Sequence, residues 1–106
     1  MREIIEKIIA FRNERDWEQF HNSKDLAIAL NIETSELLEL FLWKGNEDVD
    51  IGKLKEELAD VFMYALLLVE KHHLNIEEII EAKLELNNKK YPVDKAKGSA
   101  KKYNEL

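Results

Sequence analysis

Four carboxylates recur at one spacing: Glu33 and Glu36, then twenty residues, then Glu57 and Asp60. Residues three apart on a helix lie about 60° from each other around the axis, so the members of each pair share a face. Leu26, Ala29, Leu37 and Leu40 fall on the side of Glu33, while Val61, Tyr64 and Leu68 fall on the side of Glu57. Both pairs therefore interrupt apolar stripes. A single acid pair among 22 acidic residues is commonly a solvated surface feature. Two pairs, each on the inward side of a different helix, are not explained that way. Four carboxylates about 5 Å apart repel with energies on the order of 3 kcal/mol per pair at an effective dielectric near 20. A domain stable by about 5–15 kcal/mol does not carry that unrelieved. Protonation relieves part of it, and a divalent cation relieves it at neutral pH. An all-oxygen donor set without His or Cys favours Mg²⁺, with Mn²⁺ as substitute, over zinc or iron. Mg²⁺ binds through a few carboxylates together with substrate phosphates, so the ligand that follows is a nucleoside triphosphate and the chemistry is hydrolysis at phosphorus. An acid not fully committed to metal can take the water's proton.

Such a site needs helices to hold it. Ile4, Ile5, Ile8, Ile9 and Phe11 are spaced for a first helix over about Glu3 to Asp16, and Trp17 to Asn22 read as an irregular connection. Ser23 is a suitable N-cap for a second helix that continues to Lys44, before Gly45. The stripe Leu54, Leu58, Val61, Ala65 and Leu68 predicts a third helix from about Lys53 to His73. Asn75 followed by Glu78 opens a fourth, which carries Ile76, Ile79, Ile80 and Leu84 and stops before Pro92. Short loops between four helices predict an all-α, antiparallel four-helix bundle over 1–92. Helix 2 is apolar on nearly every side, at Ile28, Ile32, Leu37, Leu38, Phe41 and Leu42. A chain this short seldom buries one helix all round, which predicts a homo-oligomer, a dimer or a tetramer.

The whole chain has 106 residues, enough for one domain, and its 45% hydrophobic and 36% charged composition belongs to a folded protein. Three glycines and one proline are too few to turn a many-stranded sheet. The absence of cysteine excludes disulfides, thiolate metal sites and thiol nucleophiles. The longest uncharged run, Val61 to Val69, is far shorter than a membrane span. The start resembles neither a signal nor a transit peptide, so the expected location is cytoplasmic. A net charge of −6 argues against general nucleic-acid binding. Residues 89 to 102 nevertheless hold six lysines against the single acid Asp94. From Val93 the sequence loses periodicity, so 93–106 reads as a mobile, basic C-terminal tail. Lys95, Lys97, Lys101 and Lys102 there could fold over a triphosphate or a neighbouring subunit, or simply aid solubility.

The stretch Glu33-Thr34-Ser35-Glu36, followed at a distance by Glu57-Leu58-Ala59-Asp60, resembles the E-x-x-E…E-x-x-D signature of the all-α, MazG-like nucleoside triphosphate pyrophosphohydrolases. The likeness extends from helix 1 to Leu106. Arg15-Asp16-Trp17-Glu18-Gln19-Phe20-His21, Glu39-Leu40-Phe41-Leu42-Trp43-Lys44, Tyr91-Pro92-Val93 and Gly98-Ser99-Ala100-Lys101-Lys102-Tyr103 are similar to the dCTP pyrophosphatase branch. The resemblance implies water attack at the α-phosphorus of a (deoxy)nucleoside triphosphate, giving the monophosphate and pyrophosphate. It implies that Glu33, Glu36, Glu57 and Asp60 hold the metal. It further implies that Trp17, His21, Trp43 and Tyr64 contact base and sugar, and that Lys83 and Asn87 lie on the triphosphate side. Two positions depart from the branch. Ile8 stands where a His is common, which removes a polar base contact, and Ser35 replaces a Gly between the first two acids.

Rival readings make separate demands. A di-iron carboxylate bundle requires Glu-x-x-His pairs, and no His stands three residues after any of the four acids. A non-catalytic helical interaction module would keep the acids in water and need no cation. His72 and His73 fall at the end of helix 3, where they suit the helix dipole and read as structural.

Overall fold

The computed structural model describes residues 1–106 and is all-helical, without a strand. It divides into two compact units, Met1–His73 and Leu74–Leu106.

The first unit contains α1 (Arg2–Glu14), a 3-10 turn (Glu18–Phe20), α2 (Ser23–Glu39) and α3 (Ile51–Lys71). α3 packs mainly against α2 and also against α1. Ile5, Leu26, Leu66 and Leu67 form the buried core, with Leu26 only 1% exposed. Two polar contacts fix the directions. Arg2, at the start of α1, donates to Glu70 near the end of α3 at 2.8 Å. Ser23, at the start of α2, lies 2.9 Å from Nε2 of His72, which caps the end of α3. α1 and α2 therefore both run antiparallel to α3, and His72 is structural, as its position in the sequence suggested.

Local chemistry sets the helix ends. Asn22, not Ser23, is the N-cap of α2; its Oδ1 accepts from the Asp25 amide at 2.9 Å, while its Nδ2 donates to the Asp25 carboxylate at 2.8 Å. Asp50 caps α3 by accepting from the Lys53 amide at 3.2 Å, so this helix starts two residues before Lys53. α1 ends at Glu14 and closes in a Schellman arrangement. The Trp17 amide donates to Arg12 O, the Asp16 amide donates to Asn13 O, and Asp16 takes the left-handed conformation at φ 55°. α2 stops at Glu39 rather than at Lys44. The amides of Leu40, Phe41 and Leu42 bond three residues back, to Leu37, Leu38 and Glu39, and Trp43 then turns left-handed at φ 64°. The run is apolar enough to read as helix, yet its backbone has tightened into successive turns.

In the second unit, α4 (Ile76–Lys90) is capped by Asn75, whose Oδ1 accepts from the Glu78 amide at 3.0 Å. It buries none of its residues within this chain. Beyond Pro92 the segment read as a tail contains a one-turn helix, α5 (Val93–Ala96), and a second 3-10 turn, Tyr103–Glu105. The Tyr103 ring meets Tyr91 edge-on at 6.3 Å, and Lys90 Nζ lies 4.9 Å from the Tyr103 ring centre. No helix in the chain is long and apolar enough to cross a membrane.

Candidate active site

α2 and α3 place their acids on the surfaces that pack together. Glu33, Glu36 and Glu57 each offer a carboxylate oxygen, and the three oxygens lie within 4.8 Å of one another. Asp60, one turn beyond Glu57, lines a cavity together with Glu33. Oε2 of Glu33 and Oε2 of Glu57 are buried without a hydrogen-bond partner. Burial, followed by the hydrogen bond and charge of Glu36 and the charges of Asp60 and Glu57, pushes the Glu33 carboxyl up to about 7. Burial, then Glu36 and Asp60, also raises Glu57 above the ordinary carboxylate range. These are acids short of a counter-charge. Orphaned hard oxygens supplied by two helices suit Mg²⁺ or Mn²⁺, so the residues fit such an ion.

The cavity beside the acids has a volume of about 240 Å³. This is below the roughly 300–1,000 Å³ of typical ligand pockets and suits a single ring system better than a whole nucleotide. Trp17 and Phe11 form one part of its wall, with ring centres 5.8 Å apart in an edge-on pair. The Arg15 guanidinium covers Phe11 at 3.6 Å and donates to the Phe11 carbonyl, bracing that wall. Tyr64 and His21 also line the cavity, with ring centres 6.4 Å apart. Burial, then Glu33 and Asp60, raises the Tyr64 phenol, which stays protonated and able to donate. Burial and the nearby Arg12 charge lower His21, so its imidazole is neutral at pH 7, and its Nδ1 is buried without a partner.

Seven of the ten residues singled out from sequence thus belong to one place: Glu33, Glu36, Glu57 and Asp60 at the acid end, and Trp17, His21 and Tyr64 around the cavity. Trp43 does not join them. It follows α2 in a left-handed turn, is 100% exposed, and is absent from the cavity wall. Lys83 and Asn87 stand one turn apart on α4, in the second unit. Ile8 lines the cavity and gives an apolar surface at that point of the wall. Sequence reading missed Arg12, which lines the cavity with its side chain only 13% exposed. Its position four residues after Ile8 on the inner side of α1 was the available signal.

An all-α protein whose antiparallel helices gather acids beside an aromatic cavity is the class that the fold and the site define. Comparison with known proteins narrows it. A profile of the MazG-like family matches residues 28–106, and the chain belongs to that family. It is 38% identical over 104 residues to dCTP pyrophosphatase 1 of Mus musculus and to that of Homo sapiens, a match spanning 91% of this chain and 61% of theirs. The crystal structure of a pyrophosphatase from Archaeoglobus fulgidus superimposes with a TM-score of 0.81 at 36% identity, covering 87% of this chain and 92% of that one.

Proposed function

We propose that the chain is a Mg²⁺-dependent nucleoside triphosphate pyrophosphohydrolase. It would cleave dCTP or a related or modified pyrimidine nucleotide to the monophosphate and pyrophosphate, by water attack at the α-phosphorus. The observation carrying this reading is the convergence of Glu33, Glu36 and Glu57 oxygens within 4.8 Å, with two buried oxygens left unpartnered. A purely structural role leaves that repulsion unexplained. The names of the mouse and human relatives favour dCTP.

In this mechanism Glu33, Glu36, Glu57 and Asp60 hold the metal. A bound Mg²⁺ supplies neutralisation of phosphate charge and polarisation of the phosphoryl group. Trp17 offers a face on which a base can stack, and Tyr64 donates its hydroxyl beside Glu33 and Asp60. A carboxylate of the cluster not fully committed to the metal is suited to take the attacking water's proton. Lys83 and Asn87 keep the phosphate-side role, and Trp43 the base or sugar role, that family resemblance implies.

The same reading keeps 1–92 as the catalytic domain of a four-helix bundle, 93–106 as a basic tail, and a cytoplasmic location. It includes self-association as a dimer or tetramer. Ile28, Ile32, Leu38 and Leu42 of α2 and the following turn are exposed, as is all of Trp43, and a second copy would cover such a surface.

Product analysis tests the function. With dCTP and Mg²⁺, pyrophosphate and dCMP should be the first products. Orthophosphate and dCDP appearing first would place cleavage at the wrong phosphorus. A protein inert toward all eight common nucleoside triphosphates, whose melting temperature ignores both Mg²⁺ and chelator, would instead be a helical interaction module.

A further inference from the structure

The cavity wall carries both acidic and basic groups. Glu33 and Asp60 line one part, while Arg12 lines the same space and acts on His21 through its charge. Arg12 is held in place from several directions. Its Nε donates to Asn13 Oδ1 at 3.0 Å, its Nη2 lies 3.9 Å from Glu18 Oε2, and its carbonyl accepts from the Trp17 amide at 3.2 Å. Neither side-chain contact uses Nη1. An arginine whose side chain is 13% exposed, hydrogen-bonded at Nε, with a carboxylate 3.9 Å from Nη2, and placed in the wall of a base-sized cavity is preorganised to donate. Its backbone bond also ties it to Trp17, the indole offered for stacking.

We propose that Arg12 is a specificity-determining residue that reads the base edge of the substrate, donating from its guanidinium to the adjacent acceptors O2 and N3 of a cytosine. The inference rests on the proposed nucleotide hydrolysis and extends it to the choice of base. Cytosine presents O2 and N3 side by side as acceptors and N4 as a donor. Uracil and thymine carry a hydrogen on N3, which would oppose a second guanidinium N–H. The remaining unsatisfied atom complements this pattern. His21 is neutral at pH 7, and with its proton on Nε2 the buried Nδ1 accepts, as the cytosine amino group requires.

Steady-state kinetics of R12Q and R12K on dCTP and dUTP, with Mg²⁺ present, test the inference. Loss of hydrogen bonds from a charged donor should raise KM for dCTP by about 10- to 100-fold. KM for dUTP and kcat for dCTP should each stay within about threefold, so discrimination between the bases collapses. E18Q removes the 3.9 Å ion pair while the Asn13 bond to Nε remains, so discrimination should fall by less than in R12Q. Equal losses for both bases, or an unchanged KM for dCTP, in R12Q and R12K would assign Arg12 a structural role and overturn the proposal. Should R12Q fail to fold by circular dichroism, R12K carries the test. Equilibrium binding of dCMP against dUMP to wild type and R12K in chelator needs no turnover. It decides Arg12 even if wild type hydrolyses no triphosphate, an outcome that would sink the proposed function separately.

Discussion

The acid end and the donor end of one cavity solve opposite electrostatic problems. Glu33, Glu36, Glu57 and Asp60 bring like charges together on two helices, and buried oxygens of Glu33 and Glu57 have no hydrogen-bond partner. Arg12 and His21 line the same cavity, yet Arg12 has Asn13 and Glu18 as partners and His21 relieves its burial by staying neutral. Arg12 finds partners within its own chain, whereas Glu33 Oε2, Glu57 Oε2 and His21 Nδ1 are buried without one. The proposed function divides these groups between catalysis and recognition. Changes at the acid end should alter whether the reaction happens, and changes at the donor and aromatic side should alter which substrate is taken.

The largest effect should come from neutralising an acid. Glu57→Gln and Asp60→Asn each remove a carboxylate charge of nearly the same shape. Turnover should fall by at least about 10²-fold, because metal affinity and phosphate neutralisation go together. Stability should move the other way. In chelator, either variant should melt at or above the wild-type temperature, since repulsion at Glu33 has been reduced. A variant that retains near-normal turnover would remove its residue from the metal set. One that loses activity only by unfolding would erase the contrast between the two ends.

The aromatic wall should give a smaller and differently shaped response. Trp17→Ala deletes the stacking face, and base–aromatic stacking is worth about 1–3 kcal/mol. KM should therefore rise about 5- to 150-fold, with kcat much less affected. The neighbouring Phe11 and Arg15 contacts also weaken, so a small drop in melting temperature accompanies it. A loss confined to kcat would mean that Trp17 serves the acid end instead.

The acid end was legible from spacing alone, because both acid pairs obey helical periodicity and sit among apolar residues that should face inward. α1, α3 and α4 were legible for the same reason. The rest depends on backbone detail or on partners distant in sequence. The end of α2 was misplaced because Leu40, Phe41 and Leu42 are as apolar as helix residues, and only their three-residue-back bonds and the left-handed Trp43 reveal a turn. The cap fell on Asn22 rather than Ser23 because both residue types cap well, and the choice is made by the bond to Asp25. Tyr91 and Tyr103 meet across a stretch with no period, so their pairing leaves no pattern to find. Arg12 was overlooked because an arginine on an amphipathic helix ordinarily lies in water, and its enclosure becomes visible only when α2 and α3 complete the wall.

The smallest expected effect is also the most direct probe of the unmet charge. Glu33 is pushed up to about 7 from an ordinary value of 4.5. Between those two pH values the folded protein holds a proton that the unfolded chain has released. Raising pH through that window therefore lowers stability: the contribution is complete below 4.5 and lost above about 7. His21 works in the opposite direction. Its lowered pKa means that stability is lost as pH falls below its ordinary value of 6.5, so the wild-type profile mixes both slopes. Glu33→Gln removes one of them. In chelator, the melting temperature of wild type minus that of Glu33→Gln should fall by a few degrees from pH 5 to pH 8. Millimolar Mg²⁺ should flatten that difference by occupying at high pH the place the proton takes at low pH. A difference that is level with pH in chelator would show that the Glu33 carboxylate is already satisfied in solution, and the acid end would then resemble the donor end.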